Sequence, residues 1–79
     1  MSECYESYLR WSFWEQGVLL AETEQGSRIY EREGAVCLCD PGVEPGDAQS
    51  LVYGPGSTFA HRLAEKGAAY VLAAFEASA

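Results

Sequence analysis

The sequence predicts an α+β fold: an antiparallel sheet of about four or five strands, with one helix, at about residues 57–66, packed on one face. Apolar runs of strand length alternate with short turn sequences over the first two thirds of the chain. One amphipathic segment with helix-capping residues at both ends follows them. The chain has 79 residues, of which 48% are hydrophobic, so we expect one folded domain, residues 1–79.

The first segment, residues 4–14, carries most of its apolar residues at alternate positions. These positions are Tyr5, Leu9, Trp11 and Phe13. A period of two in an aromatic-rich segment predicts a strand with one face in the core. Tyr8 and Trp14 fall on the other face, where they are either covered by a second layer or exposed as anchors of an interface.

Three further strands are predicted in the middle of the chain. Residues 18–23 and 28–33 form a hairpin around a turn at residues 24–27. The uninterrupted apolar run Ala35–Cys39 is typical of a strand in the centre of a sheet. Residues 40–47 contain two Pro-Gly dipeptides, which suit type II turns, and a short turn or strand at residues 49–53 follows.

The predicted helix begins after Ser57, a plausible N-cap, and ends at Lys66 and Gly67. Its apolar face consists of Phe59, Ala60, Leu63 and Ala64. Residues 68–76 are predicted as a final strand because a glycine precedes them, although their alanines favour a helix.

The net charge restricts the partners of the chain. Twelve acidic and five basic residues give −7, and the first 50 residues carry the whole excess. This charge argues against direct binding of DNA, RNA or an anionic membrane, and a charged partner is expected to be basic. Neither a signal peptide nor a membrane span is recognisable, and three cysteines are an odd number, so we expect a protein of the reducing cytoplasm.

The cysteines and the single histidine are the only candidates for a metal site. Cys4, Cys37, Cys39 and His61 equal the ligand inventory of a three-cysteine, one-histidine zinc site. Two of these cysteines lie within an apolar strand, where cysteine acts as a small hydrophobic residue. We therefore expect reduced cysteines, no metal and no cofactor.

A catalytic triad could be assembled from Cys37 or Ser57, His61, and Asp40 or Asp47. No nucleophile-elbow or cysteine-protease motif supports it. The histidine falls on the polar side of the predicted helix, where a solvated residue is expected. The sequence therefore predicts a protein without enzymatic activity.

The acidic residues of the predicted hairpin and the loop after it are the candidate binding residues. Two of them, Glu31 and Glu33, share one face of a predicted strand, and Glu22 and Glu24 lie on the neighbouring strand. Like charges on paired strands cost stability, which favours a binding role, although solubility alone also explains an acidic surface. The partner-binding set is Glu22, Glu24, Glu31, Glu33, Asp40, Glu44 and Asp47.

A small acidic chain of this kind, without catalytic motif, metal site or targeting segment, resembles the anti-CRISPR proteins of phages and other mobile elements. The resemblance rests on the class profile and on the seven carboxylates, not on an alignable motif. It implies an inhibitor that binds the basic DNA-binding surface of a CRISPR effector, such as a Cascade-type complex, and blocks target-DNA recognition. Its carboxylates would replace DNA phosphates at lysine and arginine side chains.

Three alternatives remain open at this point. The first is a protein-interaction or antitoxin-like module that binds a basic protein unrelated to CRISPR. The second is a small metalloprotein or enzyme that uses the cysteines and the histidine. The third is a homo-oligomeric structural domain that buries its aromatic segment against a second copy. The inhibitor hypothesis is compatible with a monomer or a small homo-oligomer.

Overall fold

The computed structural model describes residues 2–78, with side chains from residue 8 onward. It confirms the α+β class, with four antiparallel strands in the sequential order β1-β2-β3-β4 and three helices. The elements are α1 (Ser2–Gln16), β1 (Val18–Glu22), β2 (Arg28–Arg32), β3 (Ala35–Cys39), β4 (Leu51–Tyr53), α2 (Thr58–Lys66) and α3 (Ala68–Ser78). No helix within residues 2–78 is long and apolar enough to cross a membrane.

Helices cover both faces of the sheet, which makes three layers where the sequence predicted two. Alternate residues of β3 point to opposite sides, and all five are buried. Cys37 and Cys39 face α1, and Val36 and Leu38 face the α2–α3 layer. The predicted central position of β3 is confirmed, and its continuous apolar sequence follows from burial on both faces.

The predicted N-terminal strand is wrong, because residues 2–16 form helix α1. Leu9 and Phe13 are four residues apart, so they lie on the same helical face and pack on the sheet. Tyr8, Trp11 and Trp14 are three residues apart and lie on the outer side, where all are exposed. The alternation that indicated a strand and the helical spacing are both present in the same residues.

The predicted C-terminal strand is also wrong, because residues 68–78 form helix α3. Val71, Leu72 and Phe75 fall on one helical face and pack against the sheet. Gly67, with φ of 91°, ends α2 and lets the chain turn, but a second helix starts directly after it. The helix propensity of the alanines therefore prevails once the sheet offers a face to cover.

Helix α2 is confirmed with both of its caps. The Ser57 hydroxyl accepts the backbone N–H of Ala60 at 3.2 Å, and the Gly67 N–H donates to the Leu63 carbonyl at 3.0 Å. Phe59, Ala60 and Leu63 pack against the sheet layer, although no residue of α2 is fully buried. The fourth residue of the predicted apolar face, Ala64, is exposed.

The two Pro-Gly turns are confirmed as type II. Gly42 and Gly46 have φ of 84° and 89°, and each lies third in a turn closed by a backbone hydrogen bond. In the first turn the Val43 N–H donates to the Asp40 carbonyl at 3.0 Å, and in the second the Asp47 N–H donates to the Glu44 carbonyl at 3.1 Å. These turns make the loop between β3 and β4, residues 40–50, a defined structure.

Candidate functional site

The acidic hairpin does not present its carboxylates on one face. In the register of β1 and β2, Glu22 lies opposite Arg28 and Glu31 lies opposite Val18, at the two ends of the pair. Arg28 is in turn opposite Cys39, on the α1 side, whereas Glu31 is opposite Val36, on the α2–α3 side. Residues directly opposite one another share a face, so Glu22 and Glu31 belong to different faces of the sheet.

The predicted pairing of Glu31 with Glu33 on one strand face is wrong. Strand β2 ends at Arg32, and Glu33 with φ of 50° and Gly34 with φ of 87° form a two-residue turn of the I′ kind. Glu33 lies 3.5 Å from the Arg32 guanidinium, and the half-buried Glu31 carboxylate accepts the Gly34 N–H at 2.8 Å. Glu31 therefore stabilises the turn that removes Glu33 from the strand.

Glu24 also lies in a turn instead of on a strand. Strand β1 ends at Glu22, and the turn is closed by the Gly26 N–H, which donates to the Thr23 carbonyl at 3.0 Å. The Thr23 hydroxyl donates to the Glu76 carboxylate at 2.7 Å, which fastens this turn to α3. Both Glu22 and Glu24 are exposed.

Two of the seven acidic residues, Glu44 and Asp47, are brought together with aromatic side chains. They line a groove of about 440 Å³ between α1 and the 40–50 loop. We call it the α1–loop groove, and its lining residues are Arg10, Trp11, Trp14, Glu44, Gly46 and Asp47. Asp40 is exposed in the first turn of the same loop but does not line the groove.

Arg10 fastens the loop to α1 and thereby shapes the groove. Its Nη1 donates to the Asp47 carbonyl at 2.6 Å, to the Ser50 carbonyl at 2.9 Å and to the Ser50 hydroxyl at 3.1 Å. Gly46 lies so close to the helix that an added Cβ would be 2.6 Å from the Arg10 carbonyl oxygen. The 40–50 loop, which forms one wall of the groove, is therefore held against α1 by the Arg10 side chain and by the close backbone contact at Gly46.

The other wall is an exposed aromatic ridge on α1. Tyr8 and Trp11 are each 55% exposed and Trp14 is 61% exposed, and the Tyr8 and Trp11 ring centroids are 6.2 Å apart. Of the two alternatives left open for Tyr8 and Trp14, the structure excludes cover by a second layer and shows both side chains exposed. The predicted position of Trp11 on the core face is wrong, although the spacing of three residues among these aromatics is a helical signal.

Two buried thiols lie on the same side of the sheet as the groove. Cys37 and Cys39 are free and fully buried, with their sulfur atoms 3.9 Å apart. The Cys39 thiol, as hydrogen-bond donor, lowers the pKa of Cys37 to about 6, although burial alone would raise it. Hydrogen bonds from the Gly46 backbone and the Ser50 side chain and the charge of Arg10 also lower this pKa. The same contact and burial raise the pKa of Cys39.

The predicted metal inventory is not assembled among the described side chains. His61 lies on α2, which packs on the face of the sheet opposite to Cys37 and Cys39. The side chain of Cys4 lies outside those the structure describes. Within the described residues, no three histidine, cysteine or acidic side chains are grouped so that they could hold a metal ion.

No side-chain hydrogen bonds join the residues of the possible triad among the described residues. The Ser57 hydroxyl caps α2, and the His61 side chain is 78% exposed, 3.6 Å from the Glu65 carboxylate. The expectation that His61 is a solvated helix residue is confirmed.

The chain has no significant match among protein-family models, curated proteins or solved structures.

Proposed function

We propose that this protein is a small acidic inhibitor that binds the basic DNA-binding surface of a CRISPR effector of the Cascade type and blocks recognition of target DNA. The observation that carries the proposal is the state of the seven carboxylates. Six of the seven are exposed, and Glu33 is the only member of the set with an ion pair to another described residue. Exposed carboxylates that form no ion pair within the protein are available to basic side chains of another protein.

Turns fix the backbone at four of these acidic residues. Glu24, Glu33, Glu44 and Asp47 all lie in hydrogen-bonded or two-residue turns. A backbone that is already ordered loses little conformational entropy on binding, which favours affinity. The inhibitor acts in the cytoplasm, needs no cofactor and performs no chemical reaction: its carboxylates occupy lysine and arginine side chains that otherwise bind DNA phosphates.

A second candidate function is a protein-interaction or antitoxin-like module for a basic protein unrelated to CRISPR. The exposed Trp11 and Trp14 favour a protein partner of some kind over an acidic surface that serves solubility alone, since tryptophan is enriched at the energetic centres of interfaces. Affinity capture from a host lysate at low salt, with identification of the bound protein, separates the two candidates.

The direct test is displacement of target DNA from a purified Cascade-type complex. The wild-type protein should displace DNA at low salt and less effectively at high salt, because charge steering is screened. Charge reversal of both groove acids, Glu44→Lys with Asp47→Lys, should weaken displacement, whereas Glu65→Lys on α2 serves as a control on a different surface. Failure of the wild type to displace DNA from any such complex would refute the proposal.

A further inference from the structure

We infer that the α1–loop groove is a receptor for an arginine side chain presented by the basic partner. The inference rests on the proposed function in one respect, that the partner is a basic protein. It adds the location of the contact and the chemistry of the side chain bound there. The groove volume of about 440 Å³ lies within the range of about 300–1,000 Å³ that is usual for ligand sites.

The aromatic wall suits a planar cation. Trp11 and Trp14 are the two tryptophans of the chain, and both line the groove with more than half of their surface exposed. A guanidinium group stacks on an indole face by cation–π attraction, for which tryptophan is the best aromatic residue. The methylenes of an arginine side chain would also cover part of the exposed apolar surface.

The opposite wall supplies the carboxylates. Glu44 and Asp47 are the first and last residues of one type II turn, whose closing hydrogen bond is 3.1 Å, so their backbone positions are fixed relative to each other. Neither is in an ion pair with any cation among the described residues. A guanidinium group can donate several hydrogen bonds to such carboxylates while its face lies on an indole.

The groove also contains a cation of its own, Arg10. Its Nη1 donates to two carbonyls and one hydroxyl of the 40–50 loop, so this group is already used to hold the groove together. With two carboxylates and one guanidinium, the lining keeps a net negative charge. Nucleic-acid bases could stack on the indoles, but the adjoining carboxylates would repel the phosphates. Charge complementarity therefore selects a basic protein side chain.

The experiment uses the intrinsic fluorescence of the intact protein. Both tryptophans line the groove, so emission excited selectively from tryptophan reports on this site. A hexa-arginine peptide should produce a saturable change, and a hexa-citrulline peptide, which has nearly the same shape without the charge, should produce none. A hexa-lysine peptide should bind more weakly, because ammonium groups do not stack or bind in a bidentate manner.

Two matched double substitutions distinguish the effect of the groove carboxylates on peptide binding from the effect of the overall charge of the protein. Glu44→Gln with Asp47→Asn removes two charges from the groove, and Glu22→Gln with Glu24→Gln removes two exposed charges elsewhere. We expect about a tenfold loss of affinity for the arginine peptide in the first pair and less than about a twofold loss in the second. Circular dichroism of each variant verifies that it is folded.

Equal losses in the two pairs, or equal binding of the citrulline or lysine peptide, would overturn the arginine site. The result is independent of the DNA experiment. Peptide binding in the groove without displacement of DNA would refute the proposed function and leave the arginine site intact. Displacement of DNA that survives the loss of Glu44 and Asp47 charges would refute the groove as the contact and leave the proposed function intact.

Discussion

Replacement of Gly46 by alanine tests how tightly the 40–50 loop is packed on α1. Gly46 has φ of 89°, and a Cβ added there would lie 2.6 Å from the Arg10 carbonyl oxygen and 3.2 Å from the Trp14 Cβ. Gly42 provides a matched control. It occupies the same position of the preceding type II turn with φ of 84°, and its Cβ would meet nothing within 4 Å.

The two substitutions share the backbone strain and differ in the contact. Alanine at positive φ costs about 1 kcal/mol, which is the whole effect expected of Gly42→Ala. At Gly46 the new methyl group would also force the loop and the helix apart, and overpacking of this kind costs about 1–3 kcal/mol. Gly46→Ala should therefore lose about 2–4 kcal/mol, out of about 4–12 kcal/mol expected for a chain of 79 residues.

Urea unfolding followed by far-ultraviolet circular dichroism measures both losses. The native tryptophan emission of Gly46→Ala should also shift, because Trp14 borders the displaced loop, whereas that of Gly42→Ala should not. Losses that agree within about 0.5 kcal/mol would mean that the loop does not lie against the helix as described. The groove would then lack one of its walls.

Four further predictions concern the core, a turn and the two buried thiols. Leu72→Ala, at a fully buried position, should lower the unfolding free energy by about 2–5 kcal/mol, and the half-buried Leu63→Ala by about half as much, which chemical denaturation can rank. Glu33→Asn should raise the unfolding free energy by about 0.5–1 kcal/mol, because asparagine adopts positive φ more readily; a lower denaturation midpoint would contradict this. Cys39→Ala should raise the pKa of Cys37, measured by thiolate absorbance in a background without the third cysteine, because the hydrogen-bond donor is lost. The pKa of Cys37 is lower in the folded protein than in the unfolded chain, so ionised Cys37 stabilises the fold. This stabilisation should decrease as the pH falls from about 8.5, the pKa of a free thiol, to about 6. Cys37→Ser should remove this pH dependence of the unfolding free energy.

The features that sequence reasoning predicted correctly are those with local causes. The buried strand Ala35–Cys39, the two Pro-Gly turns and the caps of α2 at Ser57 and Gly67 each depend on residues within a few positions of one another. Short-range geometry and hydrogen bonding decide such elements. Such elements can be predicted without knowing the rest of the fold.

The features that were predicted incorrectly depend on distant packing. Residues 4–14 fit a strand by alternation and a helix through Leu9 and Phe13, and only the uncovered face of the sheet decides between them. The tail at residues 68–76 is a similar case. Glu33 is the exception, since its turn is local, but Glu-Gly is a less common I′ turn sequence than Asn-Gly or Asp-Gly and does not predict the turn.

The candidate site was predictable in part for the same reason. The charge pattern predicts Glu44 and Asp47 as binding residues, but their juxtaposition with Trp11 and Trp14 joins segments more than 25 residues apart in the chain. Given a helix at residues 2–16, the three-residue spacing of Tyr8, Trp11 and Trp14 indicates an exposed aromatic ridge. The partner of that ridge, the 40–50 loop, would still have required the structure.

The three-layer arrangement divides the apolar interior into two clusters that share no side chain among the described residues. Alternation along β3 keeps Cys37 on one side of the sheet and Leu38 on the other, so the layers are joined mainly through backbone. Substitutions on opposite sides should accordingly be additive to within about 0.3–0.5 kcal/mol. A substitution on the outer side of α1 should therefore leave the packing of the α2–α3 layer unchanged.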